Sequence, residues 1–358
     1  MTISVLKNKV LSEFKLLYLL FKNSKTLLPN IKFGPGGFRL LLSLTVVCYH
    51  ITSFVFIGHF AVYSFFILSG FWVSKMFQEK YLPQQNPVRT YLISRFLRIY
   101  PLYLFLLLLA LPVLYYEDAG FFQQESIWDY SLFWLTNLGL LGQHLFGQSI
   151  LVPAWSLDLE VQFYVLLPLL FYVLKQKKHF VYLFIVSSVA ALLIYWFEVP
   201  FLNRTVLYFL PFFLLGILMY LFDWKFSQSV VRLSWLITLG IVLLHYVFPA
   251  NTVQDKNSLY NEWLNCVLAV SIIPFIAHNV KQKSDAIDQT LGSLSYTVYL
   301  FHWVLIWPYG DYVEDMSTLQ KMVYAPIYLI LVVLGSSLIY FYVEPFFSKW
   351  RAYFLGMP

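Results

Sequence analysis

The stretch Phe38-Arg39-Leu40-Leu41-Leu42-Ser43-Leu44-Thr45-Val46-Val47-Cys48-Tyr49-His50 is an apolar run that carries one arginine and one histidine. A bilayer-crossing helix has this form, since ~20 predominantly apolar residues cover the ~30 Å of hydrocarbon. Arg39 and His50 are eleven positions apart. At about 100° and 1.5 Å per residue they return to within about 20° of one face, separated by a rise of about 16 Å. The rest of the chain has the same character. Of 358 residues, 60% are apolar, 20% aromatic and 12% charged, against roughly 45–50% apolar and about 25% charged in a soluble domain. A water-soluble globule is excluded. The formal charge of +6 matters through its placement in a membrane protein and does not imply a nucleic-acid partner. Cys48 and Cys266 both sit in apolar runs, which suggests neither a disulfide framework nor a metal site, and no metal is expected.

Working outward, apolar runs lie at about 38–57, 60–77, 99–116, 159–174, 180–197, 205–222, 233–248, 262–280, 294–308 and 322–342. They predict an all-α membrane protein with about ten transmembrane helices. Residues 5–30 spread Lys7, Lys9, Lys15, Lys22 and Lys25 among leucines and aromatics, the composition of a helix lying in the membrane surface. Three regions follow: a basic amphipathic segment over 1–37, a transmembrane domain over 38–347 and a short cytoplasmic tail over 348–358. With both termini cytoplasmic, only Arg204, Lys256 and Lys321 fall on the outer face, as the positive-inside bias requires. Counting the apolar segment 131–147 as a crossing would invert every later loop. It is therefore read as re-entrant or interfacial, within one long outer connection at about 117–158 that suggests a lid or acceptor surface.

An ionisable group inside a span is expensive and is a functional candidate by default. Arg39 and His50 meet that criterion, although an arginine snorkelling to the interface and a histidine bonded between helices would look the same. Arg95-Phe96-Leu97-Arg98 places two guanidinium groups at i and i+3, able together to clamp a phosphate or merely to anchor the helix. Phe65-Phe66-Ile67-Leu68-Ser69-Gly70-Phe71 puts Gly70 where helices can approach closely. Trp155-Ser156-Leu157-Asp158-Leu159-Glu160-Val161-Gln162-Phe163-Tyr164 carries the carboxylate of Glu160 into a span, and Ser295-Tyr296-Thr297-Val298-Tyr299-Leu300-Phe301-His302 adds a second intramembrane histidine.

In this order, over about 37–345, these elements resemble the acyltransferase family 3 proteins, integral-membrane enzymes that acylate extracytoplasmic glycans. The resemblance implies a ten-helix fold, acetyl-CoA or a related acyl-CoA as donor, and essential roles for Arg39, His50, Arg95 and Arg98. It leads to the expectation of an O-acyltransferase, specifically an O-acetyltransferase, in a bacterial inner membrane. The acyl group would pass to a hydroxyl of a surface polysaccharide such as lipopolysaccharide O-antigen. Arg39, Arg95 and Arg98 would bind the donor, and His50, Glu160 and His302 form the expected catalytic set. Ser69, Trp155 and Tyr164 are the oxyanion or acceptor candidates. Arg39 and His50 are expected to frame a single passage joining the two compartments. The oligomeric state is open, and a transporter or flippase for a lipid-linked sugar is the alternative. The sequence departs from the family pattern in having Pro35 and Gly36 where an acidic residue commonly precedes the first arginine, which bears on the geometry of that helix end.

Overall fold

A computed structural model describes residues 33–52, 55–146, 149–247, 256 and 258–354. Most of the expected basic segment 1–37 lies outside the described residues. The described residues form helices and no strand. They are α1 Pro35–Ile51, α2 Gly58–Met76, α3 Pro87–Glu117, α4 Ile127–Gly139, α5 Trp155–Val173, α6 Lys177–Trp196 and α7 Val206–Leu221. There follow α8 Gln228–Val247, α9 Leu259–Ser271, α10 Ile273–Asn279, α11 Ala286–Val313, α12 Thr318–Tyr342 and α13 Glu344–Phe354.

Each of the ten apolar runs coincides with one helix, or with the α9–α10 pair, which bends by 45°. Six helices are long and apolar enough to cross a membrane, and a seventh crossing results if the bent pair is one span. The expected ten exceeds this number for identifiable reasons. α1 and α7 have 17 and 16 residues, or about 25 Å at 1.5 Å per residue. α11, with 28 residues, is long enough but carries Ser293, Ser295, Thr297 and His302 in or beside its apolar run, which lowers its mean hydropathy. α4, in the segment expected to be re-entrant or interfacial and not counted among the ten, has 13 residues, about 20 Å, too few to span. The expected tail from residue 348 is helical as far as Phe354 and packs against α3.

Four helix N-termini are closed by the side chain of their own N-cap residue, which satisfies main-chain N–H groups left over at a helix start. Ser126, Ser258 and Asp285 accept the N–H groups of Asp129, Asn261 and Asp288 at 3.1, 3.3 and 2.8 Å. Ser317 and Gln320 form a reciprocal capping box at the start of α12. α1 is capped from another helix: the Gly37 N–H donates to Asp288 Oδ1 at 2.9 Å.

α2 and α7 form the interior of the bundle, with Ala61, Ile67, Phe213, Leu214 and Ile217 fully buried. α6, α8 and α12 form its apolar exterior. Val186, Leu236 and Leu338 are 64%, 66% and 60% exposed, a surface suited to lipid rather than water. With apolar chains on both sides of such contacts, association rests on close packing. α2 and α7 accordingly cross backbone to backbone, Gly70 against the Phe213 carbonyl and Gly216 against the Ile67 carbonyl and the Phe71 N–H. A side chain at Gly216 would overlap main-chain atoms that cannot swing away. Gly216→Ala is expected to cost about 1–3 kcal/mol, read as a lower melting temperature of the detergent-purified protein. Gly240→Ala, facing open space in the middle of α8, should melt no lower than the wild type, since alanine favours the helix.

Candidate functional site

One end of the bundle gathers arginines. A cavity of about 600 Å³ there is lined by Arg39 from α1, Ser69 and Trp72 from α2, Arg95 and Arg98 from α3, Glu160 and Tyr164 from α5, Tyr296 and Tyr299 from α11, and Arg351 from α13. That volume lies within the range of small-molecule and cofactor sites. Local sequence explains the convergence. Glu160 and Tyr164 are one turn apart on α5, and Ser69 precedes the glycine that holds α2 against α7. Adjacent positions point about 100° apart, so Gly70 faces the packing contact while Ser69 faces the cavity. Ser69 Oγ and Tyr164 Oη both donate to Glu160 Oε1, each at 2.7 Å.

The four cavity arginines make no ion pair with a carboxylate among the described residues, whose ion pairs join only His59 to Glu262 and Lys225 and Lys281 to Asp223. Arg39 stands 5.8 Å from the Trp72 ring centroid. Arg95, 4% exposed, has Nη2 at 3.5 Å from Tyr81 Oη and 3.6 Å from Met76 Sδ. Its Nε has no hydrogen-bond partner. The carboxylate absent from the sequence before Arg39 is supplied across the bundle by Asp288, which caps α1 and lines the same cavity.

His50 and His302 meet as the helical spacing of α1 and α11 allows, their rings stacked with centroids 5.4 Å apart and planes at 27°. Trp303 stands edge-on to His50 at 5.0 Å. His302 is fully buried, and its Nδ1 lies 3.2 Å from the Val298 carbonyl. A carbonyl only accepts, so Nδ1 carries the proton and Nε2, which has no partner, presents its lone pair.

The cavity and the histidine pair are separate, contrary to the expectation of one passage. The cavity lining extends along α1 only to Ser43 and along α11 only to Tyr299. Ser43 is about 10 Å short of His50 at helical rise. Tyr299 is held by a 2.7 Å hydrogen bond to Ser156 Oγ, donates to the Pro153 carbonyl at 3.2 Å and packs edge-on to Phe65 at 5.8 Å. Its ring lies 6.4 Å from that of His302. Periodicity places Arg39 and His50 on one face, but side chains of α2, α5 and α11 occupy the space beside that face.

Trp155 does not share the cavity with Ser69 and Tyr164. It stands at the opposite end of the bundle, where His144 and His59 lie 5.0 and 6.4 Å from its ring. The connection over 117–158 is built around Asp158, which is fully buried. Its carboxylate accepts the N–H groups of Gly142 and His144 at 3.0 and 3.2 Å and the Gln162 amide at 3.0 Å. Burial, then Arg204 and His59, bring the His144 imidazole down to about 4. Lys256 donates to the Tyr49 carbonyl and, at 2.6 Å, to that of Thr52, and burial brings its ammonium down to about 8. The sequence reading passed over Tyr299, Arg351, Asp288, His59 and Glu262. Only Tyr299 carried a signal, as part of the stretch that ends in His302.

Comparison with known proteins agrees with this architecture. A family model described as an acyltransferase domain matches residues 34–341. The O-acetyltransferase OatA of Staphylococcus aureus is 28% identical over 169 residues, 44% of this chain and 28% of the relative. The peptidoglycan O-acetyltransferase OatA of Listeria monocytogenes is 24% identical over 324 residues, 79% of this chain and 50% of the relative. The acyltransferase MdmB of Streptomyces mycarofaciens is 32% identical over 130 residues, 34% of this chain and 29% of the relative. This chain thus spans half or less of the length of these curated relatives. No solved structure matches it. A family match over most of the chain, on a bundle of apolar helices in which α1 contributes both to the arginine cavity and to the histidine pair, means that the chain belongs to the acyltransferase 3 family of membrane-embedded, acyl-transferring enzymes.

Proposed function

We propose that the protein is a bacterial inner-membrane O-acetyltransferase, with acetyl-CoA as the cytoplasmic donor and a hydroxyl of a surface polysaccharide, such as O-antigen or peptidoglycan, as the acceptor. In this reading the chain crosses ten times with both termini and the arginine cavity on the cytoplasmic face, where lysine and arginine concentrate. The observation that carries the proposal is the set of four cavity arginines without a carboxylate partner. Guanidinium groups held in a partly dry cavity need an anion, and forked hydrogen bonds to phosphate answer that need. Coenzyme A carries phosphates at one end and its thioester at the end of a long arm.

Arg95, Arg98 and Arg351 hold the phosphates while Arg39, steadied over Trp72, guides the pantetheine arm inward. The thioester then meets Tyr299. Breaking its bond to Ser156 and turning its ring aside joins the cavity to His50 and His302. Closure by Tyr299 before the donor arrives limits leakage between the two compartments.

Two routes are open to His50. As a general base it takes the proton of the sugar hydroxyl while the hydroxyl oxygen attacks the acyl carbon. The C–S bond breaks and the CoA thiolate leaves. As a nucleophile it takes the acyl group on its own ring nitrogen, releases the thiolate and then yields the group to the sugar oxygen. In both routes His302, bonded to the Val298 carbonyl, orients His50 by stacking. Glu160, fixed by Ser69 and Tyr164, orders the donor side.

Purified protein given radiolabelled acetyl-CoA and surface glycan should release CoA and label the glycan. His50→Ala should remain folded and lose at least about 100-fold in transfer, the lower end for removing a general base. Substantial labelling by that variant would defeat the mechanism. Arg95→Ala should raise the donor KM about 10–100-fold, as expected for losing a charged hydrogen bond. Raising the acetyl-CoA concentration should recover much of the rate, whereas a loss of kcat alone would make Arg95 structural.

A further inference from the structure

At the end of the bundle opposite the arginine cavity, a second organised cluster is assembled from four helices and does not line that cavity. His59 Nδ1 lies 3.4 Å from Glu262 Oε2, and Tyr63 Oη donates to the other oxygen of the same carboxylate. Tyr49 and Trp155 stand beside His59 with ring centroids 5.6 and 6.4 Å away. The His59 and Glu262 side chains are 29% and 22% exposed, so the pair is ordered by its neighbours and still reachable from solvent. Tyr49 directly precedes His50, their rings 5.1 Å apart.

From this geometry we infer that His59, Glu262, Tyr49 and Trp155 form the acceptor site, with the buried Tyr63 holding the Glu262 carboxylate in place, and that its ligand is an uncharged pyranose presenting free hydroxyls. The inference rests on the acyltransferase reading and adds to it the place where the glycan binds. Glu262 draws the proton of His59 to Nδ1, which leaves the Nε2 lone pair to accept a sugar hydroxyl. Half-buried tyrosine and tryptophan rings offer apolar area together with a polar edge, matching a sugar ring that is apolar on its C–H face and polar around its rim. Charges of both signs surround the cluster: the Glu262 carboxylate, the Lys256 ammonium, which is engaged by the carbonyls of Tyr49 and Thr52 and lies 4.4 Å from the Tyr49 ring centroid, and Arg204 near His144, a mixed field suited to a ligand without net charge. The cluster delivers the sugar to the histidine end of α1, on the far side of Tyr299 from the donor.

The probe is the tetrasaccharide of N-acetylglucosamine, an uncharged pyranose oligomer, added to the full-length protein in detergent and followed by saturation-transfer NMR. The wild type should transfer saturation to the sugar ring protons. His59→Ala and Trp155→Ala should each weaken binding about tenfold, the loss expected for one hydrogen bond or one ring contact. Glu262→Gln, nearly identical in shape, serves if His59→Ala does not fold. In steady-state transfer the same variants should raise the acceptor KM about tenfold more than the donor KM. The site is overturned by absence of saturation transfer to the wild type, by binding that survives all three substitutions, or by equal changes in the two KM values. Binding does not require chemistry and should persist in His50→Ala. A protein that binds the sugar through this cluster yet releases no CoA would refute the acyltransferase reading and leave the site standing.

Discussion

The packing of α1 against α11 is the constraint on which the rest of the site depends. Their contact begins with Gly36 against the backbone of Asp288 and Gly292. Asp288 caps the first turn of α1, and Ser43 Oγ donates to the Ser295 carbonyl at 2.8 Å. The contact ends with His50 stacked on His302. A rotation of either helix by one residue, about 100°, would separate the histidines and turn Arg39 away from the cavity. Small residues and main-chain acceptors set this register, as expected where apolar burial cannot distinguish one helix neighbour from another.

Two opposing requirements meet along that pair. In the proposed function, donor phosphates call for cationic groups in a cavity, whereas a membrane must not contain an open path through its thickness. The arginines are stabilised in part by the aromatic face of Trp72 and by Tyr81, and carboxylates within ion-pairing distance are absent among the described residues. Their positive potential therefore remains available to a ligand. Tyr299 meets the second requirement from within α11. Because it belongs to the same helix as His302, one displacement of its side chain would, in the proposed mechanism, join the cavity to the histidines without moving the histidine pair.

The opposite end follows a different logic. Asp158, fully buried, satisfies backbone N–H groups of the 117–158 connection and so gives a loop a fixed form. The His59–Glu262 pair joins α2 to α9, and Tyr63 adds a third anchor to the same carboxylate. A rigid polar and aromatic surface at one end and a basic cavity at the other would, in the proposed function, divide recognition of the two substrates between the two ends of the bundle.

The sequence by itself determined that the chain is a bundle of membrane helices, because apolar composition and run length are local properties. It also determined that Arg39 and His50 point the same way, and that Glu160 and Tyr164 share a face, since both follow from the period of a single helix. Periodicity fixes a direction and leaves open what fills the space in that direction. The plug at Tyr299, the capping of α1 by Asp288, the approach of Arg351 on a helix at the expected tail and the pairing of His59 with Glu262 were therefore decided only by the tertiary structure. Each joins residues far apart in the chain, and helix-to-helix contact sets their meeting, which no spacing within one helix encodes.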